Sequence, residues 1–251
     1  MGFLIVPCFN EALRIQLNDF QTLDFKLCKL GSLENYDIRI MFVDDGSTDN
    51  TNQLLQDFSG KTKSQVLTLS RNIGKANAIR QGMLEAEKQR PAFIAYTDAD
   101  GAFPIDVIVR IIAAFIEISR RQNLDALSAA RVKLAGNQIR RTFLRHLIGR
   151  IIATILGIRA PYQLYDSQSG LKVFSRTFFD FVDLKVPFKT RWFLDWELIL
   201  RSHRKLDILE IPAEQWTEIG KSKISTFEIV RILFEIVKVK TLQRKWRNGF
   251  I

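Results

Sequence analysis

At 251 residues, 47% of them hydrophobic and 25% charged, the chain has enough apolar material for a sizeable core and falls outside the disordered and low-complexity classes. Cys8 and Cys28 are too few for a disulfide framework and nothing ahead of Phe3 could serve as a secretory leader, so a reducing, cytosolic setting is expected. The net charge of +10 is lopsided, with 14 Lys/Arg against 16 Asp/Glu in residues 1–130 and 23 against 11 in residues 131–251; the second half is either suited to an anionic surface or simply a solvated basic face.

Residues 3–6 and 38–43 are unbroken apolar runs ending at Pro7 and at Asp44-Asp45-Gly46-Ser47, the pattern of strands buried on both faces. Helical spacing runs between them from Asn10 to about Leu30, and Ser47 or Thr48 is placed to cap a helix through Leu54, Leu55 and Phe58. A third strand over 66–69, a helix over 74–88 and a fourth strand over 93–97 complete an alternation that predicts an α/β, doubly wound, Rossmann-like arrangement with helices on both faces. Pro104 opens the next helix, with Val107, Ile108, Ile111, Ile112 and Phe115 as its apolar stripe, and 124–130 fits another strand.

From 138 to 156 the pattern turns basic and amphipathic, Arg140, Arg141, Arg145 and Arg150 interleaving with Phe143, Leu144, Leu147 and Ile148 in a way suited to a membrane surface. Residues 170–174 and 206–211 read as strands and 193–202 as a helix. Near the C-terminus Phe227, Val230, Leu233, Phe234 and Val237 form an apolar stripe expected to pack on the domain, followed by a basic tail of Lys240, Arg244, Lys245, Trp246 and Arg247 that is the better membrane candidate. The longest apolar stretches, 107–118 and 147–158, are broken by Arg110 and Arg150 and are shorter than the roughly 20 residues of a spanning helix. No linker or repeat divides the chain, so one domain over 1–251 is expected.

In a parallel α/β sheet, ligands bind beyond the carboxyl ends of the strands. There the chain delivers Pro7-Cys8-Phe9-Asn10-Glu11, Asp44 to Asp49, and Asp98-Ala99-Asp100-Gly101. So many carboxylates on one edge repel unless a cation or several hydrogen-bond donors intervene. Asp98 and Asp100 can converge if the chain leaves the extended conformation at Gly101. Such hard oxygen ligands select Mg²⁺ or Mn²⁺, which would complete its shell with diphosphate oxygens and stabilise a leaving nucleoside diphosphate. The structural alternative makes Asp98 a helix cap and Asp100 a turn former. Asp45 is placed to accept from a uracil imide or guanine, with room for a flat base at Gly46-Ser47, or else to cap a helix. Gly74 lets backbone approach a phosphate and Lys75 adds a charge at a helix start, although the spacing is not that of a P-loop.

Residues 6–11, 43–49, Asn72-Ile73-Gly74-Lys75 and Asp98-Ala99-Asp100 together resemble the family 2 inverting glycosyltransferases of GT-A fold. Residues 166–172, 191–197 and 216–223 are similar to the polyprenyl-phosphate branch, nearest to dolichyl-phosphate β-glucosyltransferases, over nearly the whole chain. The resemblance implies a mixed sheet flanked by helices; within the one domain a nucleotide-sugar half (1–130), an acceptor half (131–225) and, from the residue pattern, an amphipathic helix with a basic tail (226–251) are expected. It implies transfer of a hexose, glucose from UDP-glucose by preference, to a polyprenyl phosphate by an enzyme bound peripherally to the cytosolic face of a membrane.

On matching positions, Pro7, Asn10, Glu11, Asp44, Asp45, Gly74, Lys75 and Asp98 would serve the donor, Asp98 and Asp100 the metal, and Lys223, beside Lys221, would close over the diphosphate. Asp195 falls where related enzymes place a base or sugar-binding acid, and a positioning role is expected of it beside the plain reading of a helix N-terminal acid. Arg131, Arg141 and Arg145 would take the acceptor phosphate, with Asp166 and Gln168 lining that side, while Arg140 and Arg150 are expected to face solvent or headgroups. Gly101-Ala102 departs from the mannosyl pattern, Ser169 replaces a common Cys, and no transmembrane anchor of the kind many relatives carry is expected. The competing readings are a family 2 enzyme with a sugar hydroxyl acceptor and Asp195 as general base, and a non-catalytic carbohydrate or nucleic-acid binding module. The acidic strand ends would repel a phosphate backbone, so no nucleic acid partner is expected.

Overall fold

The two leading apolar runs lie side by side as parallel strands, β1 (Gly2–Cys8) and β2 (Ile38–Asp44), with Cys8 opposite Asp44. Alternate side chains go to opposite faces. Leu4, Val6, Ile40 and Phe42 pack beneath α1 (Leu17–Glu34), α2 (Thr51–Ser59) and α4 (Ile105–Ser119), whereas Phe3, Ile5, Met41 and Val43 pack beneath α3 (Lys75–Glu87). Both faces are covered, which is why these strands are apolar throughout instead of alternating. The computed structural model describes residues 1–140, 143–158, 160, 162, 164–191, 193–219 and 226–247.

β3 (Gln65–Thr68) and β4 (Phe93–Tyr96) extend the sheet on either side, both parallel. The second half adds β5 (Ala126–Ala130), β6 (Gln138–Arg140), α5 (Phe143–Gly157), β7 (Lys172–Ser175), α6 (Arg176–Phe181), α7 (Leu194–Leu200), β8 (Ile208–Pro212), β9 (Gln215–Thr217) and α8 (Thr226–Arg247). The seven-stranded order is β3-β2-β1-β4-β7-β5-β8, in which β7 runs antiparallel to both β4 and β5, and β6 pairs with β9 in a separate two-stranded sheet. The sheet is therefore mixed. The strand order reverses between β1 and β4, so a crevice opens at their carboxyl ends.

Three local expectations are corrected. The first helix starts at Leu17, because residues 10–12 are held as a turn: Asn10 has a positive φ of 52°, and the Glu11 and Ala12 amides donate to Thr51 Oγ1 and Asp49 Oδ2. Neither Ser47 nor Thr48 caps α2, which begins at Thr51; they bind Asn10 across the strand-end loops instead. On α8 the apolar stripe faces outward, Leu233, Phe234 and Val237 being 57%, 67% and 63% exposed, while Glu235, Ile236, Val239 and Gln243 are buried. The rotation has a polar cause. Gln243 Nε2 donates to Leu156 O at 2.7 Å and Lys240 Nζ to Ile158 O at 2.7 Å, satisfying carbonyls at the end of α5, and Glu235 accepts a loop amide. Phe227 and Val230 lie in the helix, but their side chains are outside the described residues.

Candidate active site

The carboxylates at the end of β2 are met by donors from the protein. Asp44 accepts from the Ser47 amide at 3.0 Å and from Asn52 Nδ2 at 2.8 Å, and Asp45 accepts from the Ile73 and Gly74 amides at 2.8 and 2.9 Å. Burial raises the Asp45 pKa above the carboxylate norm despite those two amide bonds. The room at Gly46 is already used. A Cβ there would sit 2.4 Å from the Arg71 carbonyl carbon, so the 71–72 main chain fills the space that a flat base was expected to take. Glu11, at the end of β1, is held by Arg14 at 2.7 Å, and burial again lifts its pKa.

Beyond β4 the chain turns at Gly101, whose φ is +74°, and the Asp98 side chain meets the Lys75 ammonium, 2.5 Å from Oδ1. Burial would lower the Lys75 pKa, but the Asp98 charge and hydrogen bond outweigh it, with help from Asp100 and Asp195, and the net direction is upward. Asp100 accepts from the Ala102 amide at 3.0 Å, and burial together with the Asp98 charge raises its pKa. Pro104, not Asp98, precedes α4, so the helix-cap reading of Asp98 fails. Gly170 lies against Asp98 from the other side, where a Cβ would come within 2.6 Å of Oδ2.

The opposite wall is built on Arg131, just after β5. Its guanidinium binds both Asp166 oxygens at 2.6 and 2.7 Å, donates to Gln168 O at 3.0 Å and lies 5.0 Å from the Trp216 ring centroid. Asp195, in the first turn of α7, accepts from the Tyr96 hydroxyl and pairs with Lys172 Nζ at 3.0 Å. Between these walls runs a cleft of about 480 Å³, lined among others by Lys75, Asp98, Asp100, Arg131, Gln168, Arg191, Asp195 and Trp216. The Arg191 amide donates to Glu235 Oε1 on α8 at 2.9 Å. The Asp98–Asp100 pair, a lysine and two arginines facing one cleft can grip a diphosphate and present a second anion to it.

Two comparisons place this architecture. Residues 3–181 match the model of glycosyl transferase family 2. A dolichyl-phosphate beta-glucosyltransferase of Drosophila melanogaster is 31% identical, the match covering 99% of this chain and 77% of that protein. This chain belongs to glycosyl transferase family 2. A dolichyl-phosphate beta-glucosyltransferase of Saccharomyces cerevisiae is 29% identical to this family 2 member, over 88% of this chain and 68% of that one. Among solved structures, glucosyl-3-phosphoglycerate synthase from Mycobacterium tuberculosis, in complex with Mn²⁺, UDP-glucose and phosphoglyceric acid, superposes with a TM-score of 0.62 at 13% identity, over 96% of this chain and 78% of that chain. The fold is thus GT-A, and the chain is a glycosyltransferase.

Of the residues expected from the sequence, Lys75, Asp98, Asp100, Arg131, Gln168 and Asp195 line the cleft together. Pro7 and Asp44 lie at the carboxyl ends of β1 and β2, Asn10, Glu11, Asp45 and Gly74 belong to the adjoining loops, and Asp166 stands behind Arg131. Arg141 and Lys223, with Lys221, lie outside the described residues; Arg145 is in α5, but its side chain is not among those described. Arg150 does not face solvent freely, since it packs 4.2 Å from the Tyr165 ring centroid and donates to Tyr165 O at 2.8 Å. Among the described residues no three His, Cys, Asp or Glu are grouped to hold a metal. Asp98 and Asp100 still fit one: they are hard oxygen donors whose mutual repulsion Lys75 only partly offsets, and a diphosphate would supply the remaining ligands. Arg191, Tyr96 and Lys172 were missed. Arg191 and Lys172 stand inside quoted motifs, but only the fold brings them to the cleft and to Asp195.

Proposed function

We propose that this glycosyltransferase moves glucose from UDP-glucose to a dolichyl-type polyprenyl phosphate, with inversion, at the cytosolic face of a membrane. The observation that carries the reading is the pairing, across one cleft, of the Asp98–Asp100–Lys75 group with the Arg131–Gln168 wall. The names of the curated relatives point to the same acceptor. A phosphate oxygen of the lipid is already anionic, so attack on the anomeric carbon needs no strong base, and positioning with leaving-group stabilisation supplies most of the catalysis. Asp98 and Asp100 would hold Mg²⁺ or Mn²⁺, whose charge stabilises the departing diphosphate. Lys75 stands beside that carboxylate pair, and Arg131 receives the acceptor phosphate. Glu11, Asp45 and their loops hold the nucleoside, and Arg141, Arg145 and Lys223 remain assigned to the acceptor phosphate and the diphosphate.

No helix among the described residues is long and apolar enough to cross a membrane. Membrane contact is supported instead by exposed Leu147, Ile151 and Ile155 on α5, by Ile158 just after it, and by Leu233, Phe234 and Val237 on α8, with Lys238 and Arg244 nearby for anionic headgroups. A hydroxyl acceptor would need Asp195 as a general base, whereas a phosphate acceptor needs none, and the names of the curated relatives point to the phosphate.

Purified protein incubated with labelled UDP-glucose, Mg²⁺ or Mn²⁺ and dolichyl phosphate is expected to yield labelled lipid. Label appearing only with GDP-mannose, or only on a sugar hydroxyl acceptor, would overturn the assignment.

A further inference from the structure

Lys172 is a buried ammonium, 5% exposed, for which the transfer just described has no use. A buried lysine is costly unless its donors are satisfied, and these are. Nζ reaches Ser169 O at 2.7 Å, Ser167 O at 3.0 Å and Asp195 Oδ1 at 3.0 Å. Tyr96, 2% exposed, donates its hydroxyl to the same Asp195 oxygen. Both bonds fall on Oδ1. Oδ2 accepts none from the described residues, and Asp195 borders the cleft.

The turn that Lys172 holds is shared. Gln168 O receives Arg131, Gly170 abuts Asp98, and Ser167 Oγ accepts from Trp196 Nε1 at 3.0 Å, next in sequence to Asp195. One ammonium thus ties the Asp195 carboxylate to the segment lying between the acceptor arginine and the metal-side aspartate. We propose that Lys172 and Tyr96 are positioning residues that act through Asp195, fixing Oδ1 so that Oδ2 is presented as the acceptor for a hydroxyl of the donor sugar. The inference rests on the proposed donor, UDP-glucose. A carboxylate tethered at one oxygen has lost most of its rotational freedom before the sugar arrives, and the hydroxyl it binds then gains a charge-assisted bond at little ordering cost.

The test is a double-mutant cycle on donor binding. Tyr96→Phe removes only the hydroxyl and keeps the ring that stacks on Phe174, with centroids 6.1 Å apart. Calorimetric affinities for UDP and UDP-glucose are measured for the parent, Tyr96→Phe, Asp195→Asn and the double variant. Tyr96→Phe is expected to weaken UDP-glucose about tenfold and UDP less than about twofold, and to add less than about twofold when Asp195 is already Asn. Lys172→Arg should retain more of the UDP-glucose preference than Lys172→Met. Equal losses for UDP and UDP-glucose, or additive losses in the cycle, would mean a purely structural ion pair and overturn the proposal, as would a parent that binds UDP-glucose no more tightly than UDP. A parent that gains affinity from the sugar yet does not glucosylate dolichyl phosphate would sink the acceptor assignment and leave the cycle to decide the role of Lys172 and Tyr96.

Discussion

Replacing Asp166 by Asn removes the charge around which Arg131 is arranged. In the parent, the buried carboxylate receives two guanidinium bonds at 2.6 and 2.7 Å and the Arg131 amide at 2.9 Å. Asn keeps one acceptor oxygen, and Arg131 keeps Gln168 O and the Trp216 ring, so the loss falls toward the low end of the range for breaking a buried pair, about 3 kcal/mol. For a chain of this size, that lowers the melting midpoint by roughly 6–12 °C at pH 7. Burial alone would raise the Asp166 pKa, but the hydrogen bonds and charge of Arg131 outweigh it and hold it below the ordinary value. The native state therefore binds this proton less readily than the unfolded chain. The contribution is whole above the unfolded value of about 3.9 and is lost as pH falls through the lower native value. Urea unfolding of parent and variant at pH 7, 5 and 3.5 should show a gap that is equal at the first two and smaller at the third. A gap under about 1 kcal/mol at pH 7, or one independent of pH, would refute the reasoning.

Asp98→Asn should cut glucosyl transfer by about 100-fold or more while leaving the melting midpoint near that of the parent, and steady-state rates against Mg²⁺ and Mn²⁺ concentration check it. Phe234→Glu together with Val237→Glu should abolish flotation with anionic vesicles and leave stability unchanged, because both side chains are exposed; Val239→Glu, at a fully buried position, should unfold the protein instead. Burial pushes the Cys8 thiol far up, so alkylation at pH 8 followed by mass spectrometry should modify partly exposed Cys28 slowly and Cys8 only after unfolding. Glu197→Ala strips acceptors from the Lys189 and Thr190 amides and from Arg201; a loss of about 3 kcal/mol or more is expected in denaturant unfolding.

β1, β2 and β4 were readable because each is an apolar run buried on both faces, a pattern that needs nothing remote to recognise, whereas β3, a partly exposed edge strand, was read from the alternation of elements around it. The second half was not readable to the same depth. Lys172–Ser175 enters the sheet between strands far from it in sequence, and its antiparallel sense is set by pairing with both neighbours, not by its own residues. Gln215–Thr217 is a strand only because Gln138–Arg140 lies beside it. The outward turn of α8 follows from carbonyls at the end of α5 and an amide at Arg191, all distant in sequence, which draw Gln243 and Glu235 inward. Among the residues that line the cleft, Asp98, Asp100 and Lys75 were expected from strand ends and motifs, and Arg131 from the family resemblance. The Tyr96–Lys172–Asp195 group was not, since its members come from three separate elements or turns. Gly46 shows the converse error: a missing side chain suggested space for a ligand, and neighbouring backbone occupies it.

Glu235 also bears on how the chain can be cut. Its carboxylate rides on the helix with the outward apolar ridge, yet it accepts the amide of Arg191, whose side chain lines the cleft; from the same helix, Lys238 reaches Lys189 O at 3.3 Å. A truncation ending before Thr226 would therefore remove more than a surface attachment. It would uncap a wall of the catalytic cleft, and the shortened protein would be a poor stand-in for the enzyme even in a lipid-free assay with a detached acceptor.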